Sequence, residues 1–498
     1  MNTMLTYELQ KAREFIEGHA RAYGLDFFDT VFELVDFEQM NMVAAYGGFP
    51  TRYPHWRFGM EYEQLSKAYA YGLQKIYELV INNDPSYAYL LNANHLVDQK
   101  LVMAHVFGHV DFFKNNAWFA HTSRKMMDEM ANHGSRIRRY IQRHGEDTVE
   151  AWLDVCLSLD NLIDQHAPFI QRRDKRGTPV TEETNDPQAA YRMKSKPYME
   201  HFINPRTFLD EMVQRDHDKQ EEQERTRRFP DRPERDVLWF LLNYAPMAAW
   251  QADVLAIVRD EAYYFAPQGQ TKIMNEGWAS FWHTTIMTQK ALDASEIVDY
   301  ADHHSGTVAV QPGRLNPYKL GLDLLRDVED RWNKGRFGKE WEECDDPIEK
   351  RRWDRDLGLG RQKVFEVRRV HNDITFIDEF LTADFCRHHK LFHFKLNPNS
   401  NQYQISDREF KQIKHQLLSS LTNFGQPFIT VVDGNYGNRG ELYLQHRHEG
   451  QDLRPNYVPD TLKNLHAVWR RPVNLETADD GLGKVIRYDG HDYTEMSL

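Results

Sequence analysis

A chain of 498 residues is too long for one compact core, so two or three domains are expected. Its net charge of −13 lacks the basic footprint of a nucleic-acid-binding protein, and no stretch approaches the ~20 apolar residues of a transmembrane helix. Cys156, Cys344 and Cys386 lie far apart, which argues against a disulfide framework or a paired-cysteine metal site; with a charged, amphipathic N-terminus lacking an apolar signal core, this points to a cytoplasmic protein.

Taken in chain order, residues 5–24 have the spacing of a helix, with Leu5, Leu9, Ala12, Ile16 and His19 on one face and Gly24 at its end. Residues 43–59, VAAYGGFPTRYPHWRFG, are read as a loop, either packed on the surface or facing a substrate with its arginines and aromatics. An amphipathic helix is expected over 61–83 and an aromatic strand over 85–92. A helix from about Asn94 to Lys114 carries HVFGHVDFF (105–113), and two more helices fall within 122–170. Residues 171–236 are charged and poor in large apolar side chains, as in an insertion or hinge. Helical patterns resume at 237–265, continue through MNEGWASFWHTTIMTQKAL (274–292), and end with 316–335, where Leu320, Leu324, Val328 and Trp332 share a face.

The expected division is a mainly helical region over 1–340, a linker over 341–362, and a smaller α+β domain over 363–498. In the last, strands are read at 391–398, 402–406, 427–434 and 440–447, with a helix at 408–425 and further strands within 461–477 and 483–490.

His105 and His109 lie one helical turn apart and about 40° apart in direction, so both imidazoles can reach one ion. Glu276 and His283 share a face of a second helix, but about 10.5 Å of rise separates them, so one would be a ligand and the other a neighbour. Two histidines and a glutamate form a usual zinc set with an open position for water. A mutual ion pair within a helical core would satisfy the same residues without metal.

MNEGWASFW resembles the NEGFAS segment of glutamate-ligand zinc peptidases (gluzincins), in particular their aminopeptidase branch, and HVFGHVDFF stands where their His-Glu-x-x-His helix would be. That resemblance implies a zincin-like fold with His105, His109 and Glu276 as ligands of Zn2+ or another divalent metal, and His283 beside them. The pattern departs at Val106, which occupies the position of the general base, and in the roughly 165 residues between the two elements. If the site is of zincin type, Val106 should project beside the metal position.

HVFGHVDFFKNN, RDEAYYFAPQGQTKIMNEGWASFWH, ADHHSG and NPYKLG, in that order, are similar to the stage V sporulation protein R (SpoVR) family. The resemblance covers nearly the whole chain. It implies a bacterial, cytoplasmic protein linked to sporulation and spore cortex formation. It also implies an AAA+-type serine protein kinase and a von Willebrand-A-like protein as companions. It supplies no defined reaction.

A carboxylate replacing the missing base would be Glu261, with Tyr264 as an oxyanion stabiliser; the alternatives are a local ion pair and a packed aromatic ring. His303 and His304 either approach the cleft from a loop or form a surface pair, and His446 and His448 are read as exposed on one strand face. Asp98 either orients an imidazole or charges the start of its helix. Two functions follow. The first is a regulatory protein with a degenerate metal site, acting with kinase-type partners in sporulation or peptidoglycan processes. The second is an active metallohydrolase using Glu261 or another carboxylate. The missing glutamate favours the regulator.

Overall fold

Helix α4 (Leu96–Asn115) is apolar around nearly its whole circumference, and fifteen of its residues from Val97 to Phe113 are buried. A helix of that composition has no face to offer water, so other elements must surround it. α1 (Tyr7–Ala22), α9 (Lys272–Ile286), α10 (Ile297–Thr307) and α12 (Gly360–Val370) pack against it, and α11 (Pro317–Lys334) packs against α9 and α12. α11 and α12 are amphipathic and turn Leu320, Leu324, Val328, Val364 and Val367 into one apolar core with Val102, Phe107 and Trp278. The computed structural model describes residues 5–70, 78–170, 205–207, 209–215, 228–310, 314–397, 402–449, 452–479 and 481–498.

A three-stranded sheet in the order β1 (Thr30–Val35), β3 (Ser86–Leu91), β2 (Glu78–Ile81) belongs to the same body. β3 pairs in parallel with β1, Thr30 opposite Ser86 through Val35 opposite Leu91, and antiparallel with β2. The expected helix over 61–83 is therefore corrected. α3 is described over Trp56–Ala70, and Glu78–Ile81 is a strand whose Ile81 enters the core beside β3.

The chain divides into two compact units, residues 1–153 with 260–426, and residues 154–259 with 427–498. This moves the expected boundary at 341–362. Helices α12, α13 (Asp373–Phe380) and α14 (Phe410–Leu421) bury Val367, Phe376, Ile377, Phe380 and Ile413 in the core around α4, so they belong to the first unit. The hairpin of β4 (His393–Asn397) and β5 (Gln402–Asp407) falls there too. Much of the charged stretch 171–236 lies outside the described residues.

The second unit holds a five-stranded sheet ordered β10 (Tyr493–Ser497), β9 (Leu482–Tyr488), β8 (Val473–Asp479), β7 (Glu441–Arg447), β6 (Phe428–Tyr436). β7 and β8 are parallel and joined through α15 (Val458–Trp469), while the other pairs are antiparallel. The strand expected at the start of 461–477 is thus half helix. Leu462, Leu465, Val468 and Trp469 recur at helical spacing and are all buried. α7 (Val237–Tyr244), from the middle of the sequence, completes this unit. Glu234 bridges Val431 of β6, and a side chain at Gly434 would strike the Phe240 ring. At the coarsest level the chain is mainly helical, with a sheet-containing C-terminal part, as expected.

Candidate metal centre

Two close helix approaches bring the site together. A Cβ at Gly108 of α4 would lie 2.7 Å from the Cα of Ala279 on α9, and a Cβ at Gly277 would overlap the backbone of Gly321 on α11. Glycine at these positions lets three backbones approach nearly to contact. Rotation of α9 is further fixed by buried polar bonds. Asp111 accepts from the Trp278 indole N–H at 2.8 Å and from the Asp26 backbone N–H at 2.8 Å. Asp373 accepts from the backbone N–H groups of Ile273 and Met274, at 2.8 and 2.9 Å, satisfying donors at the start of α9. Burial pushes the Asp373 carboxyl up to about 7, against those two bonds.

With α9 so placed, Glu276 faces His105 and His109. The Nε2 atom of each histidine lies 3.4 Å from the same carboxylate oxygen, Oε2. One ligand atom from each of the three falls within 4.8 Å of the others. A tetrahedral zinc with ligands at about 2.0–2.1 Å separates neighbouring ligand atoms by about 3.3–3.4 Å, close to the two His–Glu distances. Burial opposes the charged form of Glu276, but hydrogen bonding and charge from His105 and His109 prevail and hold its carboxyl well below the usual range.

The opposite ring nitrogens are engaged. Nδ1 of His109 lies 2.8 Å from Oδ1 of Asn275, an acceptor, so Nδ1 carries a proton and Nε2 is the ring atom that faces Glu276. Nδ1 of His105 lies 2.8 Å from Nδ1 of His283, and Nε2 of His283 lies 3.2 Å from Nδ1 of His304. His105, His283 and His304 thus form a chain of ring contacts, and Nε2 of His105 is the ring atom that faces Glu276. Burial is the main reason that protonation of His283 is strongly disfavoured, with His105 and His304 adding to it. The Tyr318 ring stacks on His105 at 6.1 Å between centroids. His105 and His109 are buried, and although the Glu276 side chain keeps 18% of its surface exposed, its Oε2 and the Nε2 of His105 are both buried.

The family described as SpoVR like protein matches residues 4–426, and that described as SpoVR-like C-terminal domain matches residues 427–480. The chain belongs to the SpoVR family. The junction of the two matches coincides with the break between the structural units at 426 and 427. A relative among curated proteins is the uncharacterized protein YcgB of Escherichia coli (strain K12), 29% identical over 497 residues, covering 93% of this chain and 91% of the relative. No solved structure matches.

Within this SpoVR chain the remaining candidates fall in several places. His283 stands behind His105, as a neighbour of the group. Glu261 is elsewhere. Its carboxylate pairs with Arg52 at 2.5 Å, and meets Tyr53 at 3.3 Å and His133 at 3.1 Å, in a buried cluster built on other residues. As a base it is corrected, because both of its oxygens are committed there. Tyr264 is buried and donates to the backbone carbonyl of Asn82 at 3.1 Å, so it is a packed side chain and its oxyanion role is corrected too. Val106 is fully buried in the apolar core. Of the expected 43–59 loop only 46–55 is one, since helices Phe37–Ala45 and Trp56–Ala70 take its two ends; it is packed, with Phe49, Arg52, Tyr53 and His55 all buried.

His303 and His304 are on helix α10, not a loop. His304 extends the histidine chain and His303 pairs with buried Asp98. His446 is buried and bonded to Thr477 at 2.9 Å, a correction to its exposed reading, while His448 pairs with Asp452. Sequence reasoning missed Asn275 and Tyr318. The only local signal for Asn275 is its place directly before Glu276, and Tyr318 has none beyond its place in NPYKLG.

Proposed function

We propose that this SpoVR protein is a metal-binding regulator: His105, His109 and Glu276 hold one divalent cation, zinc in the first place, at a degenerate zincin-like site. The single observation that carries this is the convergence of two histidine Nε2 atoms on one carboxylate oxygen at 3.4 Å, with both opposite ring nitrogens already engaged. A cation at that point would take the place of protons between the two rings and the carboxylate and bind all three groups. His283 and Asn275 serve as the outer partners that orient metal-bound imidazoles.

The hydrolase reading has less support. Glu261 is bound into another cluster, and among the described residues no further acidic side chain joins the group. Without a positioned base, proton transfer at a bound water loses roughly 10²–10⁴-fold in rate. The gluzincin resemblance rests on the His-x-x-x-His and Asn-Glu-Gly segments alone. The regulator reading extends to a cytoplasmic role in sporulation or envelope (peptidoglycan and cortex) processes, as the family name suggests. Its partners would be an AAA+-type serine protein kinase and a von Willebrand-A-like protein.

The test is elemental analysis of the purified chain beside its His105→Ala variant, followed by a peptidase assay of both. About one metal per wild-type chain, lost in the variant, with no turnover above the variant's, is expected. Equal metal content in both would refute the metal site. Turnover that needs the metal and vanishes in the variant would replace the regulator by the enzyme.

A further inference from the structure

A cavity of about 310 Å³ lies between the start of α11, the short helix Ala383–His388 with the turn after it, and α14. It shares α11 with the histidine cluster but none of that cluster's side chains. Leu320, Phe385, Leu391, Phe392, Ile413 and Leu417 supply an apolar wall. Around them stand Arg314, Lys319, Asp323, His389 and Lys390. Asp323 is the one acidic side chain of the lining. It is already met by Lys319 at 2.6 Å and by Nδ1 of His389 at 3.0 Å. Arg314 and Lys390 have no carboxylate partner among the described residues, and both are exposed. An apolar hollow with two uncompensated cations at its rim is complementary to one chemical class, an anion with a short hydrocarbon body. In a chain of net charge −13 such a local excess is contrary to the background. The apolar wall strengthens it, because a low-dielectric surface screens charge less than water does.

We propose that this cavity binds a small amphipathic carboxylate, its hydrocarbon chain against the Leu320–Phe385–Leu417 wall and its carboxylate at Arg314 and Lys390. At about 310 Å³ the cavity stands at the small end of the roughly 300–1,000 Å³ range of small-molecule sites, which suits a short amphiphile such as octanoate. The inference stands apart from the metal site and needs no metal.

The experiment is calorimetric titration of the full chain with octanoate in its monomeric range, and with octanol, acetate and octyltrimethylammonium as comparison ligands. Octanoate should bind once per chain with a Kd of roughly 10–100 µM. Octanol should bind at least about tenfold more weakly, since it lacks the charge that the rim recognises. Acetate and octyltrimethylammonium should show no saturable heat. The double variant Arg314→Glu with Lys390→Glu, at exposed positions that spare the core, should lose at least about tenfold in octanoate affinity and leave octanol unchanged. Leu417→Asp should weaken both, with an unchanged far-ultraviolet dichroism spectrum as the check on folding. Absence of saturable octanoate binding, octanol binding as tightly as octanoate, or full octanoate affinity in the double variant would each overturn the proposal.

Discussion

The Nδ1 atoms of His105 and His283 lie 2.8 Å apart, joining two helices whose residues are 178 positions apart in sequence. The contact orients His105 so that its other nitrogen points at Glu276. If the proposed metal site is correct, His283→Ala should retain the three ligands yet bind zinc about 10–100-fold more weakly, the usual cost of losing an outer partner. Competition with a chromophoric chelator measures this. Unchanged affinity would mean that His283 only fills space.

Val106 is fully buried among apolar side chains. Val106→Glu therefore does not restore a general base. It should lower stability by roughly 3 kcal/mol or more, by burying a carboxyl without a partner. A thermal melt with a midpoint unchanged within a degree, or new peptide hydrolysis, would show that the side chain reaches water near Glu276.

Gly277→Ala tests how the site is assembled. The added methyl would overlap Gly321, so α9 and α11 must separate. Stability should fall by about 1–3 kcal/mol, and zinc affinity should fall with it as Glu276 moves from the histidines. Chemical denaturation and chelator competition on the same sample read both. Loss of stability with full metal affinity would detach the site from this helix contact.

Glu441 offers a pH test in the second unit. Burial raises its carboxyl, but hydrogen bonds from Arg439, Arg487 and Asn474 prevail and lower it to about 2. A folded pKa below the ordinary 4.5 means a contribution to stability that is whole above pH 4.5 and is lost as the pH falls toward 2. Glu441→Gln should cost roughly 2–3 kcal/mol at pH 7, and the difference from wild type should shrink steadily below pH 4.5. A gap that stays constant down to pH 3 would contradict the assignment.

The split unit predicts the behaviour of a fragment. Residues 427–498 expressed alone lack α7 and the Glu234 bridge to Val431, leaving the β6 edge and the surface under Phe240 uncovered. The fragment should be aggregated or poorly folded by dichroism and proton NMR. A dispersed, cooperative spectrum would show that the sheet needs no help from 154–259.

The sequence alone determined much of the local structure. The continuous apolar circumference of 96–115 requires a buried helix, and the amphipathic stripe of 316–335 requires one facing a core. The four-residue spacing of His105 and His109 sets both rings on one face whatever surrounds them. Only the tertiary structure decided which residues meet. Glu276 rather than His283 faces the two histidines, because Gly108 against Ala279 and Gly277 against Gly321 fix the depth and rotation of α9. Glu261 turned to Arg52 and His133, partners more than a hundred residues away. The segment 461–469 became a helix because its Leu462, Leu465 and Trp469 are covered by the sheet of its own unit, where apolar residues in a short run had suited a strand equally well. Periodicity is carried by neighbouring residues and is legible in a single chain. The pairing of distant faces depends on how closely two backbones can approach, and that is settled only when every helix has found its partner.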